Sequence, residues 1–298
     1  MSDERLHRAR IALEGLSVGD AFGSFFEFNA AMLRLIEGRL LPPTPWSYTD
    51  DTSMALSVYD TLRRYGGIDQ HALAASYVAH FDPMRGYGVS VRQMLARMKN
   101  GAHWQDVAQE IYWGEGSFGS DAAMHIAPVG AYFADDIAQA VEQAKLAAGV
   151  THTHPEGIAG AVAVAAAAAY AWQSQGEPLT RQTLIERVLP HVPASAVREG
   201  IQRACDLPQG TTAPAAAETL GNGSRASTQD TVPFVLWCAG EFSDDYEEAI
   251  WQAARALGDV DTICAMVGGI VVLRTGSERI PADWLNHREP LPGWAFSG

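Results

Sequence analysis

Apolar residues recur at three- and four-residue intervals over most of the 298-residue chain, and strict alternation is almost absent, so the pattern predicts helices rather than strands. The first apolar run covers residues 4–16. It breaks at Gly19-Asp20-Ala21-Phe22-Gly23, which reads as a compact glycine-flanked turn leading to Phe25, Phe26 and Glu27. After Pro42-Pro43-Thr44-Pro45, the residues Met54, Ala55, Val58, Tyr59 and Leu62 mark one face of a helix that opens near Asp51 and stops at Gly66-Gly67. The same spacing predicts helices over 70–80, 89–99, 104–111, 135–148, 156–172, 180–189, 194–205, 231–238, 245–257 and 261–273, and a further one opening at Ala122. Residues 209–228, rich in Gly, Thr, Ala and Ser, read as the main loop. The fold class is therefore all-α, and with no repeat and no linker the chain is taken as one domain, 1–298.

Composition adds limits. At 47% hydrophobic the chain can bury a large core. A formal charge of -14 argues against sequence-independent binding to nucleic acid or to an anionic membrane. Residues 157–172 are the most apolar stretch, but they are mostly alanine and too few for a membrane span, so a buried helix is expected. Cys205, Cys238 and Cys264 are odd in number and form no CxxC, and the N-terminus has no signal pattern, which fits a reducing cytoplasm.

The candidate chemistry lies in two acidic patches far apart in sequence, Thr49-Asp50-Asp51-Thr52 and Asp259-Val260-Asp261-Thr262, each at the start of a predicted helix. Taken singly, each patch reads as a helix N-terminus, where Asp and Thr oxygens accept bonds from free amides and negative charge suits the helix dipole. Taken together, carboxylates and hydroxyls are hard donors suited to Mg²⁺, Mn²⁺ or Ca²⁺. Neither patch continues as a calcium loop of the EF-hand type. His152 and His154 stand as a His-x-His pair, but no set of further His or Cys ligands accompanies them. The glycine-rich segment 114–121 is a loop that could aim amides at a phosphate, although it matches neither a Walker nor a dinucleotide fingerprint. A GxSxG nucleophile elbow is absent.

In order along the chain, Gly19-Asp20-Ala21-Phe22-Gly23 with Glu27, Thr49-Asp50-Asp51-Thr52, Gly119 with Ala122-Ala123-Met124, Thr151-His152, and Gly258-Asp259-Val260-Asp261-Thr262 resemble the ADP-ribosylglycohydrolase family. The resemblance implies a compact orthogonal bundle of helices. It further implies that Thr49, Asp50, Asp51, Asp259, Asp261 and Thr262 ligate two Mg²⁺ or Mn²⁺ ions, that Glu27 stands beside them, and that Gly119, Ser120, Asp121 and His152 contact ADP-ribose. The implied reaction is hydrolysis of the bond between ADP-ribose and a protein side chain or small conjugate. Water attacks the anomeric carbon through an oxocarbenium-like state, and Glu27, Asp50 or Asp259 assists proton transfer. A catalytically silent ADP-ribose binder or crystallin-like body is the alternative, and an enzyme for another ribosyl bond is a third. A monomer is expected. The chain departs from the family pattern at Ser120-Asp121, where Asn-Gly is common, and at His125, where Arg is common.

Overall fold

The structure, a computed structural model, describes residues 2–26 and 32–297. Its α-helices are α1 (Ser2–Gly23), α2 (Leu33–Glu37), α3 (Asp50–Tyr65), α4 (Gln70–Ala79), α5 (Val89–Lys99), α6 (Trp104–Glu110), α7 (Ala127–Tyr132), α8 (Ile137–Gly149), α9 (Pro155–Gln173), α10 (Arg181–Val188), α11 (Ala196–Asp206), α12 (Ala213–Leu220), α13 (Thr228–Glu241), α14 (Tyr246–Ala254), α15 (Val260–Thr275) and α16 (Ala282–His287). Among the described residues there is no β-strand, and one isolated bridge joins Trp46 to Arg288. The all-α expectation holds.

The centre of the bundle is built from α1, α7, α9, α13 and α15, which share one hydrophobic core. The alanine-rich α9 is buried from Ala159 to Ala169, as its sequence predicts. Small side chains let neighbouring helices approach closely on all sides. Among the described residues no helix is long and apolar enough to cross a membrane.

Three expectations are corrected. Gly19 and Gly23 do not make a turn, because α1 runs through both. Gly15, Gly19 and Gly23 are spaced by four, so they share one face, and that face meets the backbone of α15. A β-carbon at Gly15 would stand 2.5 Å from the Gly268 carbonyl oxygen, one at Gly19 2.8 Å from the Cys264 carbonyl carbon, and one at Gly23 2.6 Å from Cα of Asp261. Glycine within a helix costs about 1 kcal/mol relative to alanine, and here close backbone packing offsets that cost. The second correction is α12 within the expected 209–228 loop. Ala213, Ala215, Ala216 and Ala217 favour helix, Pro214 sits in the first turn where its missing N–H costs nothing, and Gly221 at φ 104° ends it. Third, Ala122 closes a 3₁₀ turn, Ser120–Ala122, and the helix that follows begins at Ala127.

Candidate active site

The N-termini of α3 and α15 meet the C-terminal half of α1. Thr49 caps α3, its hydroxyl accepting from the Asp51 amide, and this leaves Asp50 and Asp51 in the first helical turn. Asp259 occupies the cap position of α15 without a side-chain capping bond, so its carboxyl is free of that duty. Asp261 accepts from the Thr262 amide at 2.8 Å. The two distant patches are joined directly by the Thr262 hydroxyl, which lies 3.5 Å from Asp51 Oδ2. All six predicted oxygen-donor residues are therefore brought together.

Asp20 is the residue that sequence reasoning missed. It projects from α1 into the same cluster, fully buried, and accepts from the Thr49 amide, the Thr49 hydroxyl at 2.8 Å, the Thr52 amide at 3.1 Å and the Thr52 hydroxyl at 2.5 Å. It thus anchors the start of α3 from outside. One carboxylate oxygen each of Asp20, Asp51 and Asp261 lies within 4.8 Å of the other two. The signal for Asp20 was present in the four-residue glycine spacing, which marks a helical close-contact face rather than a turn.

Burial dominates the electrostatics. Asp20, Asp51 and Asp261 are at most 5% exposed, and Asp50 and Asp259 at the rim are 6% and 8% exposed. Desolvation first and the neighbouring Asp261 second push the Asp20 carboxyl up to about 7, against the hydrogen bonds from Thr52 and Thr49. Asp50, Asp51 and Asp259 are raised well above the carboxylate range by burial first, and then by the charge of Asp121 and Asp261 on Asp50, of Asp20 and Asp261 on Asp51, and of Asp261 on Asp259, while Asp261 is raised by burial. Among the described residues no salt bridge reaches any of these five. Arg85, whose carbonyl oxygen accepts from the Asp50 amide, turns its guanidinium to Glu289 and lays it over Tyr48. Two helix N-termini supply part of the compensating positive potential.

The donor set fits a divalent cation. Asp51 Oδ1 is buried and has no hydrogen-bond partner, an arrangement costly for a carboxylate unless a cation faces it. Cation–oxygen distances of about 2.0–2.6 Å place ligand atoms on opposite sides of one ion up to about 5 Å apart, the span found here. All the donors are hard oxygens, which suits Mg²⁺ or Mn²⁺ better than a softer metal.

The glycine-rich segment flanks this cluster. Ser120 is buried and its hydroxyl donates to Asp259 Oδ2 at 3.4 Å. The Gly119 amide is taken by Ser117 Oγ and the Ser120 amide by the Ala226 carbonyl, so these two amides are not turned outward to a phosphate. Asp121 is half-buried and faces Gly88, where a β-carbon would lie 3.0 Å from its Oδ2. Desolvation raises the Asp121 carboxyl to about 6. His152 is buried, with Nδ1 on the Thr151 hydroxyl at 2.8 Å and Nε2 unpartnered on the side of Gly119. Burial lowers its pKa to about 3. His154 instead caps α9, accepting from the Glu156 amide at 3.1 Å, so the two imidazoles do not form a chelating pair. His125 is buried against the Tyr77 hydroxyl and lowered to about 3 by burial, a neutral group where the family commonly has a cation. Glu27 lies outside the described residues.

Comparison with known proteins agrees with this geometry. The ADP-ribosylglycohydrolase family model matches residues 1–295. Human ADP-ribosylhydrolase ARH3 is 27% identical, with 94% of this chain and 88% of that protein covered. ADP-ribosylarginine hydrolase Tri1 of Serratia proteamaculans is 24% identical, with coverage of 95% and 75%. A solved structure described as an ADP-ribosylglycohydrolase-related protein complex superposes with a TM-score of 0.69 at 24% identity, covering 96% of this chain and 94% of that one, and so shares the fold. The chain belongs to the ADP-ribosylglycohydrolase family.

Proposed function

We propose that this protein hydrolyses the glycosidic bond between ADP-ribose and a protein side chain or small conjugate, with two divalent cations, Mg²⁺ or Mn²⁺, held by the acidic cluster. The observation that carries this reading is the buried set of carboxylates around the unpartnered Asp51 Oδ1, which the chain itself does not neutralise. Asp50, Asp51, Asp259 and Asp261 would hold the cations with the hydroxyls of Thr49 and Thr262, and Asp20 joins them from α1. Bound cations supply Lewis acidity toward the ribose hydroxyls and lower the pKa of water.

The chain's own residues have distinct tasks. Asp20 positions Thr49 and Thr52 and so fixes the first turn of α3. Asp51 and Asp261, both buried, supply fixed negative charge, which favours the oxocarbenium-like state at the anomeric carbon. Asp50 and Asp259 are the most exposed of the five carboxylates, and either can accept the proton of the attacking water. The resemblance adds Glu27 to these candidates. Ser120 orients Asp259, and the free Nε2 of His152 with the Gly119–Asp121 turn forms the wall for ADP-ribose. The names of human ARH3 and of the Serratia hydrolase support the substrate class. The test is a panel of arginine-linked, serine-linked and acetylated ADP-ribose substrates, assayed for ADP-ribose release with and without chelator. Turnover of at least one, lost with chelator and regained with Mg²⁺, is expected; no turnover of any of them contradicts the reading.

A further inference from the structure

Linked to the acidic cluster through the glycine-rich segment is an aromatic ridge that the proposed chemistry does not use. The segment after α6 contains Tyr112 at φ 50°, ψ 51° and Trp113 at φ 60°, ψ 29°, two consecutive residues in the left-handed region. Side chains with a β-carbon are disfavoured there, and conformations of this kind gather at functional surfaces. The strain is not repaid by burial of the indole, because Trp113 is 98% exposed and Tyr112 is 45% exposed.

Trp113 divides two recesses. On one side Val89, Ile111 and Tyr112 line an apolar groove of about 400 Å³, and Val89 is itself 76% exposed. On the other, Asp106, Glu110 and Glu115 line a pocket of about 770 Å³. No basic residue lines either recess, and the chain as a whole carries a charge of -14. Glu110 is paired with Arg97 at 2.6 Å, in a pair about half exposed on both sides and hence weak. Three links tie the ridge to residues around the acidic cluster. Val89 follows Gly88, which packs against Asp121; Thr153 in the pocket wall follows His152; and the ridge runs through Ser117 and Phe118 into Gly119.

The geometry points to a docking face for the polypeptide that bears the ADP-ribosyl group, recognised as a basic segment with a neighbouring apolar side chain. This inference rests on the proposed hydrolase activity. The carboxylates supply charge complementarity, the groove takes the apolar side chain, and the indole face offers a cation–π surface to Arg or Lys. An exposed Trp at the centre of such a patch is the type of residue that carries binding energy.

Two measurements test it. The first compares kcat/KM for a short arginine- and leucine-containing peptide bearing ADP-ribose with that for the single-amino-acid conjugate of the same linkage. Trp113→Ala, and separately Asp106→Asn with Glu110→Gln, are expected to lower the peptide value about 5- to 20-fold and to leave the small conjugate within about twofold. The second titrates the unmodified peptide, and its glutamate-containing counterpart, against wild-type protein and Trp113→Ala by isothermal titration calorimetry. Binding of the basic peptide alone, lost in the variant and weakened by salt, is expected. Equal loss on both substrates overturns the inference, because the ridge would then belong to the ADP-ribose site. Loss on neither substrate overturns it, as does equal binding of the acidic peptide. Trp113-dependent peptide binding without any hydrolysis would sink the hydrolase reading and leave the docking face standing, and hydrolysis without peptide selectivity would do the reverse.

Discussion

Replacing Gly19 by alanine tests how the cluster is held together. Its new β-carbon would stand 2.8 Å from the Cys264 carbonyl carbon and 3.3 Å from the Ala265 nitrogen, and nearer still to the Cys264 oxygen. Carbon atoms pack best at about 3.5–4.0 Å, so α1 and α15 must separate by about 1 Å. The obstacles are main-chain atoms in two helices, and no side chain can rotate away. Overpacking of this kind costs about 1–3 kcal/mol, and the upper end applies here. With an unfolding entropy of about 2.1 cal/mol/K per residue, a cost of about 3 kcal/mol lowers Tm by about 5 °C for a chain of this length. The same displacement moves Asp20, on α1, away from Asp261, on α15, and so loosens the oxygen cage. Differential scanning calorimetry in chelator and in saturating Mg²⁺ reads both effects: a lower Tm in each condition, and a smaller Mg²⁺-dependent rise than in wild type. Gly293→Ala is the control, since a β-carbon there meets nothing within 4 Å. A Gly19→Ala protein with wild-type Tm and a wild-type Mg²⁺ increment would refute the packing argument.

Asp51→Asn removes charge at the unpartnered oxygen, so Mn²⁺ affinity by calorimetric titration should fall at least about tenfold while the chelated protein loses no stability; unchanged affinity would remove Asp51 from the ligand set. Thr52→Val takes away the 2.5 Å donor to Asp20 and should cost about 1–3 kcal/mol in urea unfolding. For pH dependence, the Asp20 carboxyl is raised from 3.8 to about 7 in the folded state. Its penalty is absent below about pH 4, where folded and unfolded chains are both protonated, and is complete above about pH 7. The chelated protein should therefore be more stable at about pH 5 than at about pH 8, and Mg²⁺ should flatten or reverse that slope because it binds the ionised carboxylates. A chelated protein that gains stability over this range would contradict the sign.

What the sequence revealed depended on whether the signal was local. The helix at Asp50–Tyr65 was legible because Met54, Ala55, Val58 and Leu62 repeat on one face and Gly66, at φ 72°, ends it. The acidic patches were legible as helix starts for the same reason. The path of α1 is not legible from Gly19 and Gly23 alone, because glycine serves both in turns and at close contacts; the four-residue spacing with Gly15 is the hint, and the backbone of α15 explains it. Asp20 is equally hidden in the sequence, since its role as acceptor for Thr49 and Thr52 exists only once α1 meets α3. Short helices such as Ala282–His287 are not legible because they span too few residues for a period to show. There Trp284 stacks on Phe22 at 4.8 Å, a tertiary contact that orders the segment. The family motifs located His152, but its separation from His154 came from the cap on α9.

The most direct test of the central claim is to count and locate cations. Crystals grown with Mn²⁺ and measured at a wavelength where manganese scatters anomalously should show two peaks bounded by Asp50, Asp51, Asp259 and Asp261, with Asp20 alongside, and should lose at least one in Asp51→Asn. An empty cluster in the wild-type protein at saturating Mn²⁺, or peaks elsewhere only, would contradict the account.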